Sequence, residues 1–357
     1  MRLGEVKKQK SQVMGLTWLP GYGTGSLYFP KINTEKIKME QQQKIFEEQR
    51  DNFKPVIVLQ PNKFTLEHEK ECFINNLCDF VEPLNFEQLQ VMGRPKANFK
   101  DIIKALCLMS YNGMSYRRTQ SDLKWMFENE LIKYIPPRST LNDYSNDENT
   151  KAFIEKLIQV SALFFNDNED TLIIDSTWFG QRMYTGGYRE VYDKENAPLQ
   201  KVRKMHIGCL KNSKVIAFAK ATAGTKHDSP FFEEIVSAVS KNGFHIKTIL
   251  ADAGYSGKNN YALCRDLGIT DVFIDFKSNA TLRRAKSDIW REKLRLYKEQ
   301  KEIWNQSYRF RVLIEGVFSA IKRKNLNYLR SKKETARDVE VLLKALVYNL
   351  TIIGKYS

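Results

Sequence analysis

The sequence has little cysteine and no long apolar run. Its 357 residues include five cysteines, an odd number without a C-x-x-C pair, which argues against a disulfide framework or a zinc knuckle and favours a reducing cytosol. No apolar stretch approaches the roughly 18 residues of a membrane span, and the first residues lack the apolar segment of a secretory signal. The expected location is therefore the cytoplasm.

Negative charge is scarce relative to positive charge. Lys and Arg number 57 against 42 Asp and Glu, which gives a net charge of +15. Between Lys277 and Lys333 there are 17 basic and five acidic residues, so most of the surplus lies in one stretch. This charge attracts a polyanion, either nucleic acid or an anionic membrane face; the alternative is a solvated basic helix. Aromatic residues among these cations suit nucleic acid but also serve as core anchors: Trp290, Tyr297, Trp304, Tyr308 and Tyr328.

The sequence pattern divides the chain into three parts. Residues 1–62 are predicted to form an N-terminal extension, partly disordered or a lone helix. Residues 63–163 have helical periodicity and a glycine turn at Gly113, which is typical of a helix-turn-helix DNA-binding domain but also of any small helical bundle. Residues 164–357 alternate between strand and helix patterns and are predicted to form a separate α/β domain, which also contains the candidate active-site residues described below.

Five strands are predicted in this last part, at Thr171–Phe179, Arg203–Leu210, Lys214–Thr222, Ile246–Ala251 and Asp271–Phe276. Helices are predicted at Ser229–Lys241, Gly257–Leu267, 281–304, 307–325 and 334–353. Three strands in a meander followed by helix-connected strands predict an α/β fold. The specific expectation is a ribonuclease-H-like mixed sheet flanked by helices, preceded by a small all-α domain.

Two aspartates are placed at strand positions that favour metal chemistry. Asp175 lies in the first predicted strand, and Asp252 directly follows the fourth. In the expected sheet these strands are parallel neighbours, so the two carboxylates should meet. Their repulsion is relieved by a divalent cation; alternatively, each aspartate is an ordinary turn or cap residue at a strand end.

One face of the helix predicted over 307–325 presents four polar side chains within an arc of about 60°: Tyr308, Arg311, Glu315 and Lys322. A carboxylate flanked by two cations suits metal binding by Glu315 and phosphate binding by Arg311 and Lys322. The alternative is a solvated face with an ordinary Glu–Arg pair.

Two further polar residues have simpler interpretations. His206 lies within the second strand and is interpreted as a strand histidine with a satisfied side chain rather than a metal ligand. Asp228 precedes a predicted helix and is interpreted as its N-cap, with support of the metal site as the less favoured alternative.

The chain resembles the DDE transposases of prokaryotic insertion sequences, and in particular the branch with the Y-(2)-R-(3)-E-(6)-K signature. Here the signature is Tyr308-x-x-Arg311-x-x-x-Glu315-x-x-x-x-x-x-Lys322. The segments Ile174-Asp175-Ser176-Thr177, Lys226-His227-Asp228-Ser229 and Ala251-Asp252-Ala253-Gly254-Tyr255 also match. The similarity extends over about residues 90 to 353. It is weaker in the helical part, where Gly93-Arg94-Pro95 and Pro137-Arg138-Ser139-Thr140-Leu141 carry it.

The resemblance implies a metal-dependent DNA transposase that cleaves and transfers strands at the ends of an insertion sequence. Asp175, Asp252 and Glu315 would be catalytic and would hold two Mg²⁺ ions, for which Mn²⁺ can substitute. Arg311 and Lys322 would bind phosphates, with Tyr308 beside them. The implied partner is double-stranded DNA at the transposon ends and target, bound by at least a dimer in a nucleoid-associated complex, with no membrane partner. Two alternatives stay open: a ribonuclease-H-like nuclease without strand transfer, and a domesticated DNA-binding protein.

Overall fold

The structure of the protein is a computed structural model that describes residues 67–84, 97–181, 202–282 and 288–354. The predicted N-terminal extension, residues 1–62, lies outside these residues. So does the Gly93-Arg94-Pro95 segment.

Helices occupy the described part of the chain before the sheet: α1 (Glu69–Val81), α2 (Phe99–Tyr111), α3 (Tyr116–Glu128), α4 (Arg138–Ser145) and α5 (Glu148–Ala162). Two of them begin with a side-chain cap. The side chain of Asn98 accepts a hydrogen bond from the backbone of Lys100, and the carboxylate of Asp147 accepts one from the backbone of Thr150. These bonds satisfy amide groups that the first helical turn leaves free. A 3₁₀ turn at Leu163–Asn168 leads into the sheet. The predicted helical region before the sheet is confirmed.

The sheet has five strands in the described residues: β1 (Thr171–Phe179), β2 (Arg203–Leu210), β3 (Ile216–Ala223), β4 (Thr248–Ala251) and β5 (Asp271–Ile274). Their spatial order is β3-β2-β1-β4-β5. The strand β2 is antiparallel to β1 and β3, whereas β4 is parallel to β1 and β5. This is the ribonuclease-H-like arrangement, so the predicted mixed sheet is confirmed. β1 lies at its centre with helices on both faces, which explains why Leu172-Ile173-Ile174 is a continuous apolar run.

Six helices follow the first three strands in the described residues: α6 (Phe231–Lys241), α7 (Lys258–Asp266), α8 (Asp288–Glu299), α9 (Lys301–Tyr308), α10 (Leu313–Lys324) and α11 (Glu334–Ile353). The helix predicted over 281–304 is wrong in its bounds, because Gln300, with φ −129° and ψ 52°, leaves the helical conformation. The change of direction lets Trp290 from α8 and Trp304 from α9 both pack on the ring of Phe276. These tryptophans are therefore core anchors.

The helix predicted over 307–325 is also not continuous. Tyr308 ends α9, and residues Arg309–Val312 form a 3₁₀ turn before α10 begins. Tight turns of this kind are frequent at helix ends. The four signature residues therefore lie on two helices and the turn between them, and Arg311 is in the turn.

The helix α11 joins the helical region to the sheet. It is buried along most of its length and packs on α1, α2 and α5 as well as on β2 and β3. Inside this contact the side chain of Asn349 bonds the backbone of Ile216 in β3 and the hydroxyl of Ser161 in α5. A buried ion pair between Arg203 and Asp338 fixes α11 to β2. No helix within the described ranges is both long and apolar enough to cross a membrane.

Candidate active site

The two aspartates predicted to meet lie on neighbouring parallel strands. Ile174 of β1 pairs with Ala251 of β4, and Asp175 and Asp252 are the residues that follow this pair. Both carboxylates therefore belong to the same edge of the sheet, where β4 ends. The carboxylate of Asp252 accepts a hydrogen bond from the backbone of Gly254, which holds it in a tight turn after the strand.

The carboxyl group of Asp175 is in an environment that disfavours its ionised form. Its pKa is raised to about 6, mainly by burial and also by the nearby charges of Asp252 and Asp228; the backbone hydrogen bond from Ser176 and the charge of Arg311 act in the opposite direction. Its side chain is only 17% exposed. A buried carboxylate with like charges beside it is stabilised by a cation.

Arg311 supplies a positive charge at this position. One guanidinium nitrogen donates to Oδ2 of Asp175 at 3.0 Å, and another donates to Oε1 of Glu315 at 2.8 Å. The guanidinium thus lies between the strand carboxylate and the helix carboxylate. Glu315 is in the first turn of α10, and 55% of its side chain is exposed. The structure therefore brings Glu315 to the strand aspartates through an arginine contact.

The other two signature residues are half-buried near the same edge. The ammonium of Lys322 donates to the hydroxyl of Thr177 in β1 at 2.6 Å and lies 5.5 Å from the centre of the Phe179 ring. Burial lowers the pKa of Lys322. Burial raises the pKa of the Tyr308 phenol, as do the charges of nearby aspartates. Lys322 thus contacts the strand that carries Asp175, and Tyr308 lies near Asp275, Asp252 and Asp175.

Asp228 is placed differently from the sequence prediction. The helix α6 begins at Phe231, and no side chain caps its N-terminus, so the N-cap interpretation is wrong. The carboxylate of Asp228 instead turns back to the sheet, where it accepts hydrogen bonds from the hydroxyl of Ser176 at 2.7 Å and from the ammonium of Lys204 at 2.8 Å. The sheet contacts, which are distant in sequence, replace the local cap.

His206 belongs to the same group of contacts. Its ring is fully buried, with Nε2 2.9 Å from the hydroxyl of Thr222 and Nδ1 3.3 Å from a carboxylate oxygen of Asp228. Burial lowers the pKa of this histidine despite the nearby carboxylate. From its position in β2, the histidine thus contacts Thr222 of β3 and Asp228.

Another carboxylate near the site was missed in the sequence. Asp275 directly follows β5, as Asp252 follows β4, and its backbone bonds the carbonyl of Ala251. Its charge is among the causes that raise the pKa values of Tyr297 and Tyr308. An apolar run followed by aspartate was the available signal, at Val272-Phe273-Ile274-Asp275.

The residues at this edge fit a hard divalent cation by their chemistry. Carboxylate oxygens are the ligands that Mg²⁺ prefers, and two carboxylates, those of Asp175 and Asp252, follow neighbouring parallel strands at this edge. In the described part of the chain, no three acidic, histidine or cysteine side chains form a ready-made metal cluster. The guanidinium of Arg311 contacts two of the carboxylates.

Comparison with known proteins shows the family to which the chain belongs. The chain belongs to the transposase DDE domain family, whose model matches residues 166–350, just over half of the chain. This range contains the whole sheet and all three candidate carboxylates. Among solved structures, the chain is similar to a cryo-EM structure of the piggyBac transposase synaptic complex with hairpin DNA. That match has 12% identity and a TM-score of 0.38, and covers 82% of this chain and 76% of the other. No curated protein sequence matches the chain.

Proposed function

We propose that the protein binds the ends of an insertion sequence and catalyses metal-dependent cleavage and transfer of DNA strands. The observation that carries this proposal is the meeting of Asp175 and Asp252 on parallel strands, with Glu315 joined to Asp175 through Arg311. Membership of the transposase DDE domain family supports the reaction class. The active complex on DNA is proposed to be at least a dimer.

Asp175, Asp252 and Glu315 are the proposed ligands of two Mg²⁺ ions, which Mn²⁺ can replace. Bound divalent ions would activate a water or a DNA 3′-hydroxyl and stabilise the leaving oxygen. The exposed side chain of Glu315 can turn towards the aspartates without leaving a packed position. Arg311 then loses its two carboxylate partners and becomes available to a DNA phosphate, which a guanidinium binds with two parallel hydrogen bonds.

Lys322 and Tyr308 are proposed to contact the DNA beside the cleaved bond. Lys322 is already held at Thr177, two residues beyond Asp175 on β1. An ammonium at this point can neutralise a phosphate close to the carboxylates. Tyr308 is half-buried beside the same aspartates and can hydrogen-bond or stack with the DNA.

The helical region supplies a second proposed DNA contact that needs no metal. The helix α3 exposes Arg117, Arg118, Lys124 and the ring of Trp125, which is 49% exposed, and α4 exposes Arg138 at its first residue. Basic and aromatic side chains on a solvent-facing surface suit a DNA backbone. In full-length protein, the double variant Arg117→Ala, Arg118→Ala should weaken binding to the end sequence and reduce its salt dependence by up to two units of slope.

Strand cleavage assays test the proposed active site directly. Asp175→Asn, Asp252→Asn and Glu315→Gln should each abolish cleavage of DNA that carries the flanking sequences, with Mg²⁺ present. Binding of the same DNA in EDTA should change little, because it depends mainly on the basic surface. Asp147→Asn, at the cap of α5, is the matched control and should cleave normally.

Two outcomes would contradict parts of the proposal. Cleavage within tenfold of the unmodified protein in any one carboxylate variant would remove that residue from the metal site. Nicked products without joined products in the unmodified protein would identify a nuclease without strand transfer.

A further inference from the structure

A buried lysine and a buried histidine lie side by side on β2 next to the proposed active site. Lys204 and His206 are 4% and 0% exposed. The ammonium of Lys204 lies 4.9 Å from the centre of the Trp178 ring and donates to Asp228. Removing a charged ammonium from water is unfavourable unless it is paired. Burying the ion pair of Lys204 and Asp228 therefore costs free energy that an apolar residue at position 204 would not cost.

Asp228 receives contacts from two strands although it belongs to neither. Lys204 and His206 approach it from β2, and the hydroxyl of Ser176 donates to it from β1. These hydrogen bonds keep the pKa of the Asp228 carboxyl low despite its burial. With its oxygens bonded to protein groups, this carboxylate is oriented before any ligand arrives.

Ser176 connects Asp228 to the first proposed metal ligand. Its hydroxyl donates to Asp228, and its backbone amide donates to Oδ1 of Asp175 at 2.8 Å. The same residue therefore contacts both carboxylates. Fixing the Ser176 side chain restrains the strand segment whose amide orients Asp175.

On the other side, Asp228 lies beside the turn that carries Asp252. A methyl group added to Gly254 would lie 2.8 Å from a carboxylate oxygen of Asp252 and 3.7 Å from one of Asp228. The two carboxylates thus border the same glycine. Only a residue without a side chain leaves this space open.

We propose that Asp228 is a positioning residue for the proposed active site, anchored by Lys204 and acting on Asp175 through Ser176. It restrains the strand segment that carries Asp175 and lies beside the turn that carries Asp252, while its own oxygens bond protein groups. This proposal rests on the proposed function, since it assigns a role in orienting the metal ligands. Residues that orient metal ligands typically change metal affinity about 10- to 100-fold when they are replaced.

Mn²⁺ binding, followed by the loss of its free-ion electron paramagnetic resonance signal, tests the proposal without measuring activity. In full-length protein, Asp228→Asn should raise the Mn²⁺ dissociation constant by about 10- to 100-fold. Ser176→Ala should raise it by about 3- to 10-fold, as expected for one hydrogen bond, and Ser176→Thr should restore most of the affinity because it keeps the hydroxyl. DNA binding in EDTA should stay within about twofold for all three variants.

Two reference variants separate the possible failures. Asp175→Asn removes a proposed ligand, whereas Asp147→Asn removes one negative charge at the cap of α5, outside the site, and should bind Mn²⁺ as the unmodified protein does. If the unmodified protein does not bind Mn²⁺, or if Asp175→Asn binds it equally well, the proposed function fails. If Asp175→Asn loses affinity but Asp228→Asn and Ser176→Ala keep it, the positioning role is refuted. Should Asp228→Asn fail to fold, the Ser176→Ala and Ser176→Thr pair decides the question by the same measure.

Discussion

Neutralising Asp175 should make the metal-free protein more stable. The pKa of this carboxyl is raised from 3.8 to about 6, first by burial and then by the charges of Asp252 and Asp228. A difference of about two pKa units corresponds to about 3 kcal/mol by which folding disfavours the ionised form at pH 7.5. This value already includes the attraction of Arg311. The oxygen of an asparagine can still accept the backbone hydrogen bond from Ser176, so Asp175→Asn should gain about 2–3 kcal/mol.

The gain should depend on pH in a defined direction. The native state keeps the Asp175 proton up to a higher pH than the unfolded state does, so its contribution to stability is greatest below about pH 4 and is lost as the pH rises through 6. The advantage of Asp175→Asn should therefore be full at pH 7.5 and about half as large at pH 5. For a domain of this size, 1 kcal/mol corresponds to about 2 °C in Tm, which predicts a rise of about 4–6 °C.

Thermal unfolding in EDTA at the two pH values measures this effect. Asp147→Asn is the control, because it also removes one negative charge from a basic protein, and its Tm should stay within about 1 °C. Adding Mg²⁺ should raise the Tm of the unmodified protein and leave that of Asp175→Asn unchanged. A variant that is less stable than the unmodified protein at pH 7.5, or equally shifted at both pH values, would refute the reasoning.

Three further substitutions test separate parts of the structure. Lys322→Ala should reduce cleavage by more than it weakens DNA binding, and the slope of log affinity against log salt concentration should fall by somewhat less than one unit. The control Lys324→Ala should affect binding only slightly. Equal losses in the two variants would mean that only bulk charge matters. Gly254→Ala places a methyl group 2.8 Å from the second aspartate of the site and should lower cleavage at least tenfold with normal DNA binding; unchanged cleavage would show that the turn can relax. Asp338→Asn removes the negative charge that pairs with the buried guanidinium of Arg203. It should lower the free energy of unfolding by about 3–5 kcal/mol in a denaturant titration, and a loss below about 1 kcal/mol would contradict a tightly coupled pair.

Much of the sheet followed from local patterns. The first two strands have the predicted bounds, Thr171–Phe179 and Arg203–Leu210. Apolar runs without alternation indicated strands covered on both faces. The meander and crossover order then left few topologies, so the meeting of Asp175 and Asp252 could be expected from the sequence. Asp275 could have been found in the same way, because it too follows an apolar strand.

The helical bounds in the basic stretch were harder to predict. A periodic pattern does not show where a helix must change direction to pack two large rings on one neighbour. The break at Gln300 depends on Trp290 and Trp304 contacting Phe276, which is a contact between segments distant in the chain. For the same reason, the 3₁₀ turn that contains Arg311 was not visible in the signature spacing.

The sequence by itself determined the chemical groups of the site: two strand carboxylates, a helix carboxylate, and cations spaced beside it. Tertiary structure alone decided which charges pair. Arg311 bonds Asp175 across 136 positions of sequence. Asp228, which was expected to cap a helix, is instead hydrogen-bonded to Lys204 and Ser176. Local capping contributes about 1 kcal/mol, whereas an unpaired buried charge costs several. The contact of Asp228 with the buried ammonium of Lys204 is therefore favoured over a local helix cap. It depends on β2, which no local sequence pattern places beside Asp228.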